Sequence, residues 1–186
     1  AIALSGQRGA GKTWFSMDLA NAFIEAGYTV GVFSIEQGGI ESKDTQKAID
    51  KNVSRKNQQK LSVTAHAPDG IDSVIQYSNA FDVIIIDSWQ KMNLPSTFFD
   101  DLRQRHQNTI WIVIFQQNAE GGTRGGIAPE FDAPIVLKAF SDPANHPNGN
   151  YVMAEKNRGN PTDKKYMIVS KKVKPLYESS KAKTQK

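Results

Sequence analysis

Apolar positions in this chain follow two alternating rhythms. Ile2-Ala3-Leu4, residues 29–35, residues 83–86 and residues 110–115 are short, nearly unbroken apolar runs rich in β-branched side chains. Runs of this length read as strands, and the lack of polar alternation reads as burial on both faces, the condition of a parallel sheet. Between them the period changes. Phe15, Leu19, Ala22, Phe23 and Ala26 recur at the spacing of a helix with one buried face, and Gly27 suits a left-handed cap at its end. Residues 41–50 read as a polar helix and 52–60 as a charged, amide-rich surface linker, while 61–65 alternate as a short strand. After the turn Pro68-Asp69-Gly70, a helix runs through Val74, Ile75 and Tyr77, with Asp69 or Asp72 available to cap it. Another begins at Pro95-Ser96 and contains Phe98, Phe99 and Leu102.

The alternation stops after Gln117. Residues 120–134 are glycine-rich and loop-like, and carry Arg124. Three strand candidates then follow without a helix between them, at 135–140, 151–156 and 165–169, separated by Pro, Asn and Gly clusters. The expected fold is α/β, with a mainly parallel central sheet flanked by helices and a C-terminal β-hairpin extension. One domain over residues 1–170 and a basic tail over 171–186 are expected.

Composition narrows the class. At 186 residues, 39% hydrophobic and 23% charged, the chain reads as one soluble globular domain. No apolar run approaches the roughly 20 residues that cross a bilayer, so no membrane partner is expected, and a cytoplasmic location is the default. There is no cysteine, which excludes a disulfide framework and a thiolate zinc site, and His66, His106 and His146 are scattered. The first residue, Ala1, already sits at the edge of a strand, so a trimmed core of a longer protein is expected. Of the excess positive charge, Lys171, Lys172, Lys174, Lys181, Lys183 and Lys186 lie together near the end, and read as a solvated tail.

The chemistry starts at Gly6-Gln7-Arg8-Gly9-Ala10-Gly11-Lys12-Thr13, which fits G-x-x-x-x-G-K-[ST] between an apolar strand and a helix. In such a loop glycines let successive N–H groups turn inward toward phosphate, aided by the positive end of the following helix. Lys12 would reach the β- and γ-phosphates and the Thr13 hydroxyl would ligate Mg²⁺, so ATP with Mg²⁺ is the expected ligand, held by residues 6–13 with Trp14 just behind. Asp87 closes an apolar strand, where a second acidic residue supports Mg²⁺ through water. Glu36 closes the strand after the first helix, where a carboxylate faces the γ-phosphate and activates water. Gln116 and Gln117 end the next strand. Because successive strand residues point to opposite faces, only one is expected to face the site, and Gln117 is favoured as a γ-phosphate sensor.

Taken in order, these residues resemble the RecA superfamily, in particular RadA-type branch-migration proteins and DnaB-type replicative helicases. The loop and Glu36 match in kind and order. Residues 85–92, Ile-Ile-Asp-Ser-Trp-Gln-Lys-Met, resemble a RadA stretch in which Ile-Asp-Ser is followed by Gln, and Lys156-Asn157-Arg158 resembles a late Lys-Asn-Arg motif. The resemblance implies a RecA-like P-loop NTPase that forms a hexameric ring or filament with ATP at subunit interfaces. It assigns Lys156 and Arg158 to a neighbour's γ-phosphate, and Arg124, Gly125 and Gly126 to a DNA-contacting loop, with single-stranded DNA as partner. Gly159-Asn160-Pro161 is nearer the helicase pattern than the RadA one, and the zinc ribbon and protease-like domain of RadA have no counterpart in these residues. The expected function is Mg²⁺-dependent ATP hydrolysis by an oligomeric motor on DNA. The alternatives are a KaiC-like ATPase acting on protein and a nucleotide-dependent assembly module without turnover.

Overall fold

The computed structural model describes residues 1–176 apart from 119, 120, 125, 127 and 147. Gly125 and the tail lysines Lys181, Lys183 and Lys186 therefore lie outside the described residues. Strands β1 (Ile2–Gly6), β2 (Val30–Ser34), β3 (Leu61–Thr64), β4 (Val83–Asp87), β5 (Ile110–Gln116) and β6 (Ile135–Phe140) run parallel, in the spatial order β3-β2-β4-β5-β1-β6. β7 (Tyr151–Asn157), β8 (Lys164–Met167) and β9 (Lys172–Pro175) continue the same sheet antiparallel. Helices α1 (Lys12–Glu25), α2 (Lys43–Asn52), α3 (Arg55–Gln58), α4 (Ile71–Ser78), α5 (Phe98–Arg105) and α6 (Ala128–Asp132) connect the parallel strands.

Every residue of β1, β2 and β4 is buried, as their unbroken apolar runs require. Successive residues serve opposite layers. Ile85 joins Met17, Ala20 and Ile24 of α1 and Ile49 of α2 on one face, and Ile84 and Ile86 join Val74 of α4 and Phe99 and Leu102 of α5 on the other. Each such side chain contributes about 1.5–3 kcal/mol by leaving water. α1 stops where Gly27 takes a left-handed φ of 96°, with Gly27 N–H donating to Ile24 O and Tyr28 N–H to Phe23 O.

The structure departs from the sequence-based expectations in several places, and the reasons are local or topological. Residues 52–60 are no bare surface linker. They contain α3, and Asn21 Oδ1 accepts hydrogen bonds from Ser54 N–H (2.9 Å) and the buried Asn57 amide (2.8 Å). Neither Asp69 nor Asp72 caps α4; Gly70 holds the cap position, and Ser73 Oγ accepts Asp69 N–H. The expected loop 120–134 contains α6, and the expected tail begins with β9. β6, expected to open the antiparallel extension, instead pairs parallel with β1, from Ile2 opposite Ile135 to Gly6 opposite Ala139. A strand's own residues do not say which neighbour it takes.

Candidate nucleotide site

Parallel strands end on one side of the sheet, so β1, β2, β4 and β5 deliver their last residues to one edge. A cleft of about 950 Å³ lies there, and Lys12, Thr13, Glu36, Asp87, Gln116 and Gln117 all line it. Arg8, Gly9, Gly11 and Trp14 line it too. Ala10 does not, because its methyl is packed in the core beside Leu4, Phe15 and Ile168, so it offers the cleft backbone alone.

Two glycines make the loop possible. A Cβ on Gly6, whose φ is 154°, would fall 2.5 Å from the Ala139 carbonyl oxygen on β6. A Cβ on Gly11, at φ 90°, would fall 2.8 Å from Ile168 Cδ1. Gly11 sits at the N-terminal cap of α1, and no side chain caps that helix end, so its free N–H groups face the cleft side of the loop. Lys12 folds back over the loop and donates to the carbonyls of Gly6 (2.7 Å) and Gln7 (2.9 Å). Burial lowers its pKa, and the carboxylates of Asp87 and Glu36 oppose that shift.

Thr13 donates its hydroxyl to Asp87 Oδ2 at 2.6 Å. Asp87 is only 2% exposed, and burial raises its pKa to about 6, against the Thr13 hydrogen bond; Glu36 raises it further and Lys12 pulls it down. A carboxylate penalised by burial beside a hydroxyl is a fitting partner for a cation. Among the described residues no three His, Cys, Asp or Glu side chains stand together as a metal cage. Mg²⁺ suits such a site when phosphate oxygens and water complete its shell, with Thr13 and Asp87 as the protein's share.

Residues 36 and 37 carry the second wall. Glu36 N–H donates to Asp87 O (3.0 Å), which pins the end of β2 to the end of β4. The Glu36 carboxylate accepts the Gln116 side-chain amide at 2.7 Å. Gln37, read from the sequence as loop, donates its amide to Thr13 Oγ1 at 2.9 Å. Its only sequence signal was its place directly after Glu36. Both Gln116 and Gln117 line the cleft, against the expectation that one alone would. β5 ends at Gln116, and Gln117 pairs instead with Thr123 in an isolated bridge, so strand alternation no longer applies there. Gln116 is the one bonded to Glu36, while Gln117 Nε2 is buried without a hydrogen-bond partner.

Gln90 was also missed as a functional residue, although it follows the Asp87-Ser88 pair closely. Its Oε1 accepts Gln116 N–H (3.0 Å) and its Nε2 donates to Arg124 O (2.8 Å), and Arg124 N–H returns to Gln116 O (2.7 Å). One side-chain amide thereby ties the end of β5 to the loop after it. Arg124 is exposed and lines both the main cleft and an adjoining 440 Å³ hollow beside Trp89 and Leu94. Gly126 turns back onto Thr123 O through its N–H.

Lys156 and Arg158 are not brought to this cleft. Lys156 is level with Val136 and hence with Ala3, three positions short of Gly6. That puts it about 10 Å back along the sheet. Its ammonium donates to Phe131 O (2.6 Å) at the end of α6, and the Arg158 side chain is exposed.

No protein-family model matches the chain, and no curated protein sequence is significantly similar to it. Solved structures do match. The KaiC-like protein of the hyperthermophilic archaeon Pyrococcus horikoshii superposes with a TM-score of 0.67 at 17% identity, over 92% of this chain and 87% of that one. The flagellar accessory protein FlaH from Methanocaldococcus jannaschii gives 0.68 at 15% identity, over 93% and 88%. A helicase ATPase domain gives 0.57 at 17%, over 87% and 78%. With its strand order, its phosphate-type loop and these neighbours together, the chain has the RecA-like ATPase fold.

Proposed function

We propose that this chain is a Mg²⁺-dependent ATPase that works as a homo-oligomer, a ring or filament, on single-stranded DNA. The observation that carries the proposal is the meeting of Lys12, Thr13, Asp87, Glu36 and Gln116 around one cleft from four separate strand ends. Residues 6–13 and Trp14 bind the nucleotide. Lys12 exchanges its loop carbonyls for phosphate oxygens, and Thr13 and Asp87 hold the metal, which supplies charge neutralisation between the β- and γ-phosphates. Glu36 takes a proton from the attacking water, and the Gln116 amide orients its carboxylate. Gln117, with an unengaged buried amide, senses the γ-phosphate. Lys156 and Arg158 lie too far from their own cleft to serve it and act on a neighbour's, where an arginine stabilises charge on the transferring phosphoryl group. The Arg124–Gly126 segment is the DNA loop, tied to the site through Gln90 and Gln116.

A second reading has its own support. The KaiC-like protein and FlaH superpose better than the helicase ATPase domain does, which favours an ATPase whose target is protein. Hydrolysis rate against protein concentration, with and without single-stranded DNA, separates the readings. A rate per subunit that rises with concentration, is stimulated by DNA and falls about 10³-fold in Arg158→Ala supports the DNA motor with a trans arginine. A flat rate per subunit removes the trans role, and indifference to DNA moves the target to protein.

A further inference from the structure

The two faces of the antiparallel extension differ. On the face toward α1, Ala139, Val152 and Ile168 join the core beside Phe15, and Tyr166 packs edge-on against the Phe15 ring, 5.4 Å between centroids. The register puts a different set on the opposite face. Phe140 stands across from Tyr151, Tyr151 from Met167 and Met167 from Lys172; Lys138 stands across from Met153, Met153 from Lys165 and Lys165 from Lys174. Phe140, Tyr151, Met153 and Met167 belong to none of the three core clusters and are only half-buried. Phe140 and Tyr151 lie nearly parallel, with centroids 5.0 Å apart and 16° between planes, and the Lys165 ammonium sits 4.4 Å from the Tyr151 centroid.

The charges on this face are unbalanced. Lys138 is paired with Glu155 at 3.1 Å, but among the described residues Lys165, Lys172 and Lys174 have no acidic partner. Lys165 and Lys174 are directly opposite across neighbouring strands, an arrangement that destabilises a sheet unless something anionic lies over it. A second copy docking by this same face would set lysines against lysines, which argues against self-association here. Stacked aromatic rings flanked by unpaired lysines are the combination that holds a single strand, because every base has a π-face and every link a phosphate.

We propose that the open face of β6–β9, centred on Phe140, Tyr151, Lys165, Lys172 and Lys174, is a binding platform for single-stranded DNA, separate from the Arg124 loop. It rests on the DNA-acting reading above for the choice of DNA over RNA. The platform keeps hold of the strand independently of the nucleotide cleft, since none of its residues lines that cleft.

The test is fluorescence anisotropy of a labelled short oligothymidylate over a salt series, with no nucleotide added, and a parallel oligouridylate arm. Lys172→Gln/Lys174→Gln, both exposed and free of core contacts, should weaken binding about tenfold and flatten the slope of log K against log salt by about 1.4. Tyr151→Leu should weaken it about tenfold with little change in slope, and ultraviolet crosslinks should map to the peptide holding Tyr151. Circular dichroism checks that the Tyr151 variant is folded, and the lysine pair decides if it is not. Wild-type affinity and slope in the lysine variant overturn the platform, as does binding abolished by Arg124→Ala but untouched by the face variants. Tighter binding to oligouridylate overturns the choice of DNA, and a lysine variant that alters sedimentation instead of DNA binding makes the face a contact between copies. ATP hydrolysis without DNA, measured on the same samples, keeps the two proposals apart: intact hydrolysis with no oligonucleotide binding sinks the platform, and intact binding with no hydrolysis sinks the ATPase.

Discussion

The parallel and antiparallel parts of this sheet carry chemistry in different places. In the parallel part the strands are buried along their whole length, so their bodies hold only apolar residues and every polar group is pushed to a strand end. Thr13, Glu36, Asp87 and Gln116 all sit at or just beyond such ends. In the antiparallel part only one face is covered. β7 alternates and β9 is exposed throughout, so polar and aromatic residues stand along the strands themselves. Burial on two sides concentrates function at an edge, whereas burial on one side spreads it over a surface.

The strongest way to sharpen that contrast is to disable the edge alone. Glu36→Gln should lower ATP turnover by about 10²–10⁴-fold, with binding of a fluorescent ATP analogue retained. An equal loss of analogue binding would mean that Glu36 shapes the cleft instead of activating water.

Asp87 offers a second, smaller test, because it is a strand-end charge buried at a cost. Its carboxyl has a folded pKa of about 6 against 3.8 as the ordinary value, so between those pH values the folded chain binds more protons than the unfolded one. Stability contributed by this group is therefore full at low pH and is lost as pH rises toward 6. Asp87→Asn should unfold at higher urea than the parent at pH 7, by about 1–3 kcal/mol, and the difference should vanish near pH 4. Turnover should move the other way and fall as acid protonates Asp87 through pH 6. A variant no more stable than the parent at pH 7 would remove the claim that this edge is held under electrostatic penalty.

The smallest effect tests whether the two parts are coupled. Tyr166 on β8 donates its hydroxyl to Asp18 on α1, and Lys171 pairs with the same carboxylate at 2.8 Å. Tyr166→Phe should cost about 1 kcal/mol in urea denaturation and leave the hydrolysis rate unchanged. A matching fall in hydrolysis would show that the extension steers α1 and hence the phosphate loop, and the division between the parts would fail.

The phosphate loop was legible in the sequence because its demands are local: glycines at fixed offsets, a lysine and a hydroxyl, all within eight residues. Asp87 and Glu36 were legible because each ends a strand that apolar composition makes plain. Gln37 and Gln90 were not, since an amide's partner depends on which strand ends meet, and β2 meets α1 and β4 only in three dimensions. The same reason hid the parallel pairing of β6. β9 was read as tail because four exposed residues rich in lysine have no burial pattern, and only its register with β8 gives it away.

Lys12 reaches its own loop's carbonyls when it has nothing else to hold. Nucleotide entry is thus an exchange reaction, with two short hydrogen bonds surrendered for each ammonium delivered to phosphate. An anion presenting a single weak acceptor gains little by that trade, while a polyphosphate replaces both bonds and adds charge. The loop is therefore self-latched: its folded-back lysine preserves the cradle's shape between turnovers and screens out small anions before any residue of the outer wall is consulted.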